Sequence, residues 1–440
     1  MSGVSNRLRE PALGLVAIVA FSSIVSNWAP MRVVPASDFY QFWVVGQELA
    51  AGRAGDIYSD AARERIGDRY LQRALRGGDR TEVRTARQRE TLETYSTPFL
   101  YTVFAVLSSG DYERDLARYR AWGLASIVFS VVVLCRLLGH GPVATLASLA
   151  IFGSWFAPVR SDWLVGNVNG FQLAGVAVFA WLASRHPGRV GAVLAGLVLG
   201  ASAMFKPNSA GVIALLLVAW GMRRRLERLV FASLGIVAAA ALAGLASVLA
   251  FGGTGIWWRW AAALSRLPDE LITLQLGNHA ASRLLVEGLS VDLTAPIAIV
   301  CFGLAIAAMA RALRGGAPAD PPGRAGLEEL VVAALAGVVT LLASPLAWLH
   351  YYVATIPMLL VVLRPEAPGA RGRLAGIALR GTVWLVWIAV MMRPLVVLDI
   401  GDEYGRAVLL CLGTVVLFGL GLRSLLGLRS AVEPEARPTR

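Results

Sequence analysis

The sequence predicts an all-α polytopic membrane protein of about twelve transmembrane helices. Three observations carry the prediction. Of 440 residues, 56% are hydrophobic, and the mean hydropathy is +0.61. Only 16% are charged, where a soluble chain of this length carries about a quarter. The apolar residues also gather in runs near the length that crosses a bilayer, bounded by charge, Pro or Gly.

The runs fall at roughly 11–29, 119–138, 142–159, 170–184, 190–205, 208–221, 229–251, 293–312, 327–343, 351–363, 381–398 and 405–422. The first follows Arg7 and Arg9, and no small-x-small cleavage site comes after it, so it reads as a retained signal anchor. Three runs are short and lie beside Pro or Gly: 170–184, 208–221 and 351–363. Such runs suggest helices broken inside the protein, near a site. Arginine placement tests the count. With the N-terminal tail inside, the connections bearing Arg136, Arg185, Arg223, Arg311 and Arg364 all fall inside, as does the tail bearing Arg423 and Arg437. Both termini are then cytoplasmic. A single membrane domain over 1–430 is expected, followed by a disordered tail at 431–440.

The first outer connection, 30–118, is long and charged. From Asp38 to Ala51 the apolar Phe39, Phe42, Trp43, Leu49 and Ala50 share one side, opposite Asp38, Gln41 and Glu48; Gly52 ends the pattern. This reads as a short amphipathic helix lying in the membrane surface, with a carboxylate at its start. Asp38 as an N-cap, with Gln41 completing a capping box, is the structural alternative. The mixed-sign segment 60–94 reads as a solvated helix or helical hairpin. The apolar stretch from Pro98 to Leu107 is too short to span, and reads as a second in-plane or re-entrant helix.

The net charge of +12 does not indicate nucleic acid. The arginines lie between apolar runs, where they orient the chain and meet anionic lipid heads. Cys135, Cys301 and Cys411 are far apart, and the four histidines lack ligand spacing, so neither a metal nor a cofactor is expected.

In this topology the unusual polar residues collect on the outer face. Lys206 is the only lysine among 41 basic residues. Pro207 breaks the helix there, and an ammonium at a break can hold a phosphate oxygen; snorkelling to the interface is the alternative. Asn167 and Asn169 flank a valine and, in extended backbone, point the same way. They suit sugar hydroxyls or a phosphate, or a turn that satisfies its own backbone. His350 follows a Pro break beside Trp348 and Tyr351, and can donate to a developing phosphate charge or cap a helix. The connection 252–292 adds Arg259 and Arg266 among tryptophans of an interfacial belt, and Arg393, Asp399, Asp402 and Glu403 close the set.

Taken in order, these motifs resemble a known family, the polyprenol-phosphate-sugar-dependent membrane glycosyltransferases of the mannosyltransferase type, glycosyltransferase family 87. The residues that carry the resemblance are Ser37-Asp38-Phe39 with the aromatic helix ending at Ala51-Gly52, then Tyr58, Tyr95 to Tyr101 with Pro98, Gly166-Asn167-Val168-Asn169, Lys206-Pro207, and Ser344-Pro345 with Trp348, His350 and Tyr351. The resemblance spans roughly 10–365. It implies a GT-C-type bundle whose large first extracytoplasmic loop carries the catalytic aspartate, matched here by Asp38, and a late histidine matched by His350. The chain departs at Asn167, where the family often has Gln, and in its longer insertion at 60–94.

The implied reaction is extracytoplasmic transfer at the plasma membrane, from a polyprenyl-phosphate sugar to a lipid or glycan acceptor, without a metal. Asp38 is the expected general base, and Lys206, His350, Arg259 or Arg266 would face the leaving phosphate. The family nominates mannose; pentoses such as arabinofuranose stay open. The rival reading is a twelve-helix transporter or flippase. Against it, the two halves share no sequence similarity and the polar residues sit at one face, not at mid-membrane.

Overall fold

The computed structural model describes residues 34–53, 55–313, 322–364 and 403–430, with parts of 14–26. The described residues are helical apart from loops and one isolated bridge pair, Asn278 with Trp348. The first long span is preceded by α1 (Ser37–Ala50), α2 (Asp60–Gly77), α3 (Arg80–Gln88) and α4 (Pro98–Leu107). Then come α5 (Tyr112–Leu137), α6 (Pro142–Ala150), α7 (Ala157–Val165), α8 (Asn169–Arg185), α9 (Arg189–Phe205), α10 (Ala210–Met222), α11 (Leu226–Phe251) and α12 (Gly255–Leu264). The series ends with α13 (Ala281–Leu289), α14 (Thr294–Leu313), α15 (Pro322–Ala343), α16 (Ile356–Val362) and α17 (Glu403–Ser430).

Two apolar cores result. The larger is centred on α15, whose most apolar window is 83% buried, against 22% for α11. That contrast separates an inner helix from a peripheral one: Val230, Leu234, Val237, Leu242, Leu245 and Leu249 of α11 are all exposed, as a lipid-facing row must be. α9 and α11 pack backbone to backbone, because a Cβ on Gly196 would lie 2.0 Å from the Ala232 carbonyl oxygen.

The smaller core surrounds α1. Phe39, Tyr40, Phe42 and Trp43 pack on Tyr70, Tyr101, Phe104, Tyr112 and Tyr119. Burying each such ring contributes roughly 1.5–3 kcal/mol, and the edge-on pair of Trp43 with Tyr112, 5.4 Å between centroids, adds to that. Trp43 Nε1 donates to Asp115 Oδ2 at 3.0 Å, so the largest of these rings has its polar atom satisfied.

This burial corrects the expected surface helix. α1 does form, and Gly52 follows its end in a left-handed conformation (φ 67°). However, most of its polar side is covered too: Gln41 and Glu48 are buried, and Asp38 alone of the three is part-exposed. Glu48 is closed by Arg53 (2.9 Å) and Arg69 (2.5 Å), and Gln41 Oε1 accepts from the Glu93 backbone. Gln41 is therefore spent on a distant loop, and the N-cap is Ala36 with no side-chain bond, so the capping box does not form. The segment 60–94 is the expected hairpin, α2 and α3, but with one packed face: Ile66, Tyr70, Leu71 and Ala74 are buried, and so is Arg63.

The count of twelve spans is not confirmed. Among the described residues five helices are long and apolar enough to cross a bilayer, α5, α11, α14, α15 and α17, or six if the bent α6–α7 pair is one span. The α6–α7 chain turns by 49° after a π-helical stretch, Ile151–Trp155. Helices do form at 170–184, 190–205, 208–221 and 351–363, but each is short, and Pro207 separates the second from the third. At 1.5 Å per residue α10 is about 20 Å long, against a hydrocarbon core of about 30 Å. The run at 381–398, with Arg393, Asp399 and Asp402, and the tail at 431–440 lie outside the described residues, as does part of 11–29.

Candidate functional site

A cavity of about 1020 Å³ is lined from both cores. Asp38 stands on its wall in the first turn of α1. The start of α1 is anchored where Arg120 donates to the Val34 carbonyl at 3.0 Å. α7 then ends on Gly166 in the left-handed region (φ 71°), and a Cβ there would lie 2.5 Å from Phe39 Cβ. Only glycine lets the end of α7 approach α1 so closely. The next residue, Asn167, thereby reaches Asp38: its Nδ2 donates to Asp38 Oδ2 at 2.7 Å.

Asn167 is held from three directions. Its carbonyl accepts from the Tyr119 hydroxyl at 2.7 Å, and its Oδ1 accepts from Val168 N at 2.7 Å and from Lys206 Nζ at 3.0 Å. One amide therefore joins carboxylate and ammonium. A second amide does the same one step deeper. Asn169 Oδ1 accepts from Lys206 Nζ at 2.9 Å, while its Nδ2 donates to the buried Asp162 at 2.8 Å. Each amide turns its oxygen to the cation and its NH₂ to a carboxylate, as donor and acceptor chemistry requires.

Pro207 ends α9 and places Lys206 at the break. Gln172 Nε2 fixes that break, donating to Asn208 Oδ1 at 2.8 Å, Ser209 Oγ at 2.7 Å and the Lys206 carbonyl at 3.2 Å. From α4, the Thr97 hydroxyl donates to the Met204 carbonyl at 2.7 Å. The ammonium also sits 3.7 Å from the centre of the Tyr351 ring, a cation–π contact. Burial pushes it well below the usual lysine range, against the pull of the Asp162 and Asp38 carboxylates. An arriving phosphate would reverse that shift.

His350 is buried, with Nε2 4.0 Å from Asp38 Oδ2, and meets the Tyr351 ring edge-on at 4.9 Å. Its loop is fixed by Asn278, which donates to Ile272 O (2.8 Å) and Pro345 O (3.0 Å) and accepts from Ala347 N (2.8 Å) and Ala280 N (3.2 Å). Trp348, in the same loop, lines the cavity.

The structure thus brings together Asp38, Asn167, Asn169, Lys206, His350 and Tyr351, with Trp348 on the same wall. It does not bring Arg259 or Arg266 there. Both are exposed and neither lines the cavity; Arg259 instead donates to the Gly55 carbonyl at 2.6 Å. The cation that sequence reasoning missed is Arg89. It lines the cavity, with Nη2 3.7 Å from Asp38 Oδ1 and Nη1 paired to Glu93. Nothing in the run Arg84-Thr85-Ala86-Arg87-Gln88-Arg89 singles it out; it turns inward because α3 ends there. Asp162 and Gln172 were missed as supports for the same reason, since their roles depend on contacts distant in sequence. No group of three His, Cys, Asp or Glu placed to hold a metal occurs among the described residues.

This arrangement supplies a carboxylate able to take a proton and a cation able to hold an anion, on one cavity wall. No curated protein and no solved structure gives a significant match. A family model described as Glycosyltransferase family 87 matches residues 94–345, more than half of the chain.

Proposed function

The chain belongs to glycosyltransferase family 87, and we propose that it transfers a sugar from a polyprenyl-phosphate donor to a lipid or glycan acceptor. The observation that carries this reading is the shared Asn167 amide, which couples the Asp38 carboxylate to the Lys206 ammonium on the cavity wall. Asp38 takes the proton of the acceptor hydroxyl as its oxygen attacks the anomeric carbon. The new C–O bond forms on the face opposite the phosphate, and the anomeric C–O bond to phosphate breaks with inversion. The electron pair stays on the departing polyprenyl phosphate, held by Lys206 and His350. Asp38 finishes protonated and returns its proton to water.

Asn167 occupies Asp38 Oδ2, while Oδ1 stands 3.7 Å from Arg89 Nη2, too far for a direct hydrogen bond, and is the oxygen that meets the acceptor. Apolar residues on the same cavity, Leu264, Leu267, Leu271 and Phe302, give the lipid a wall. The sugar is mannose by family, or a pentose. The reaction is placed on the extracytoplasmic face of the plasma membrane, with both termini inside. The test is transfer of label from radiolabelled polyprenyl-phosphate mannose by purified protein in lipid discs. Asp38→Asn lowers turnover by at least about 100-fold while donor binding is kept. Undiminished turnover of that variant removes the mechanism.

A further inference from the structure

A second cavity, of about 360 Å³, lies at the end of α9 opposite Lys206. The helix has 17 residues, so the two places are about 25 Å apart. Arg189, Arg224, Arg225 and Arg228 line this cavity, together with Glu227. α9 and α11 both begin there and pack side by side, since a Cβ on Gly235 would lie 2.1 Å from the Val193 carbonyl oxygen. Neither first turn has a side-chain cap, so two positive helix ends meet the same space.

Positive charge is in excess at this place. Glu227 is paired to Arg189 through Nε, which leaves the two Nη groups of that arginine. Arg228 gives Nη2 to Glu329 at 2.8 Å, while its Nε and Nη1 have no hydrogen-bond partner among the described residues. Those two atoms are covered, so Arg228 contributes its field and not a contact. Arg224 is exposed and makes no ion pair among the described residues. It also takes the left-handed conformation (φ 53°) in the turn after α10, where its N–H donates to the Gly221 carbonyl at 3.0 Å. Glycine is the residue such a turn favours, so this arginine stands against the backbone's preference.

An apolar track leads away from the cavity. Leu226 lines the cavity and begins the exposed row Leu226, Val230, Leu234 and Val237 of α11. Trp181, exposed near the C-terminus of α8, marks the headgroup level at this end. A basic pocket at the head of a lipid-facing row complements a ligand with an anionic head and acyl tails. A free phosphate would use the pocket alone.

We propose that Arg224, Arg189 and the two helix N-termini bind an anionic phospholipid at the membrane face opposite the Asp38 cavity. Its phosphate sits among the arginines, and its acyl chains lie along α11. This site goes beyond the transferase reading and does not depend on it.

The experiment is native mass spectrometry of the full chain released from lipid discs of phosphatidylglycerol and phosphatidylcholine in equal parts. Wild-type protein retains phosphatidylglycerol in preference. Arg224→Gly weakens that retention about fivefold, the worth of one basic group near an anionic surface, and Arg189→Ala does so by a similar factor. Glycine suits the turn, so the melting midpoint of Arg224→Gly in phosphatidylcholine discs holds or rises, which separates lost binding from lost folding. Arg259→Ala, an exposed arginine beyond the far end of α11, leaves retention unchanged. Equal retention of the two lipids by wild-type protein overturns the proposal, and so does unchanged retention in both Arg224→Gly and Arg189→Ala. A loss in Arg259→Ala as large as in Arg224→Gly overturns it too, because the attraction is then diffuse. Displacement of the lipid by an equal concentration of inorganic phosphate would make the occupant a free anion, and likewise sinks it.

Discussion

Cations are buried at both ends of α10, and they are neutralised in opposite ways. Beyond its C-terminus, Arg223 meets Glu328 at 2.6 Å and Arg228 meets Glu329 at 2.8 Å, with Arg225 within 3.5–3.8 Å of both carboxylates. Before its N-terminus, Lys206 has no carboxylate within ion-pair distance among the described residues. Two amide oxygens and a tyrosine ring hold it, and the amides pass the attraction on to Asp38 and Asp162. In that cluster every arginine has a carboxylate within reach, two carboxylates serving three guanidiniums. The ammonium, held only by dipoles, has none, and it faces a cavity. The first arrangement is a structural lock on α15; the second, under the function proposed above, is a receptor.

Breaking the lock has the largest expected effect. Glu329→Ala strands a buried guanidinium, and costs about 3–5 kcal/mol of stability. Thermal unfolding in lipid discs reads this as a lower midpoint, with donor KM unchanged in the protein that remains folded. Breaking the receptor moves the other observable. Lys206→Met lowers transfer from the lipid-phosphate donor by about 100- to 1000-fold, the size of one lost charge-stabilising donor. Its melting temperature holds or rises, because a buried charge is removed. A collapsed midpoint with normal donor use would invert the comparison.

A pH series sharpens it. The Lys206 ammonium is pushed down by burial, and only its charged form attracts phosphate. Donor KM therefore rises with pH, beginning below the usual lysine range near about 10.4. Lys206→Arg keeps its charge throughout, so the alkaline rise disappears; its persistence would assign the titration elsewhere. The smallest effect belongs to a cation outside the cavity. Arg259→Ala, an exposed position, changes kcat/KM by less than about threefold, and a larger loss would place it at the site after all.

Much of the cavity wall was legible in the sequence because its residues interrupt apolar runs. Asn167, Asn169, Lys206 and His350 stand out against their neighbours, and a polar group in such a setting needs a reason. Arg89 was not legible, since it is one arginine among many in a segment whose composition fits a solvated helix. Only the end of α3 and the Gln41–Glu93 contact turn that segment inward. The setting of α1 was misread for a related reason. Periodicity reports two faces but not what covers them, and here Arg53, Arg69 and the Glu93 backbone cover the polar one. Among the described residues helices appear where the apolar runs lie, but several are too short to meet the length that crosses a bilayer, and the break at Pro207 divides two of them.

The most direct measurement is the affinity of polyprenyl phosphate for wild-type protein, Lys206→Met and Glu329→Gln, each in lipid discs. The account predicts binding about 10- to 100-fold weaker for Lys206→Met alone, the worth of a charge-assisted hydrogen bond. Equal affinity for wild type and Lys206→Met would contradict it, and the ammonium at the break in front of α10 would then be structural.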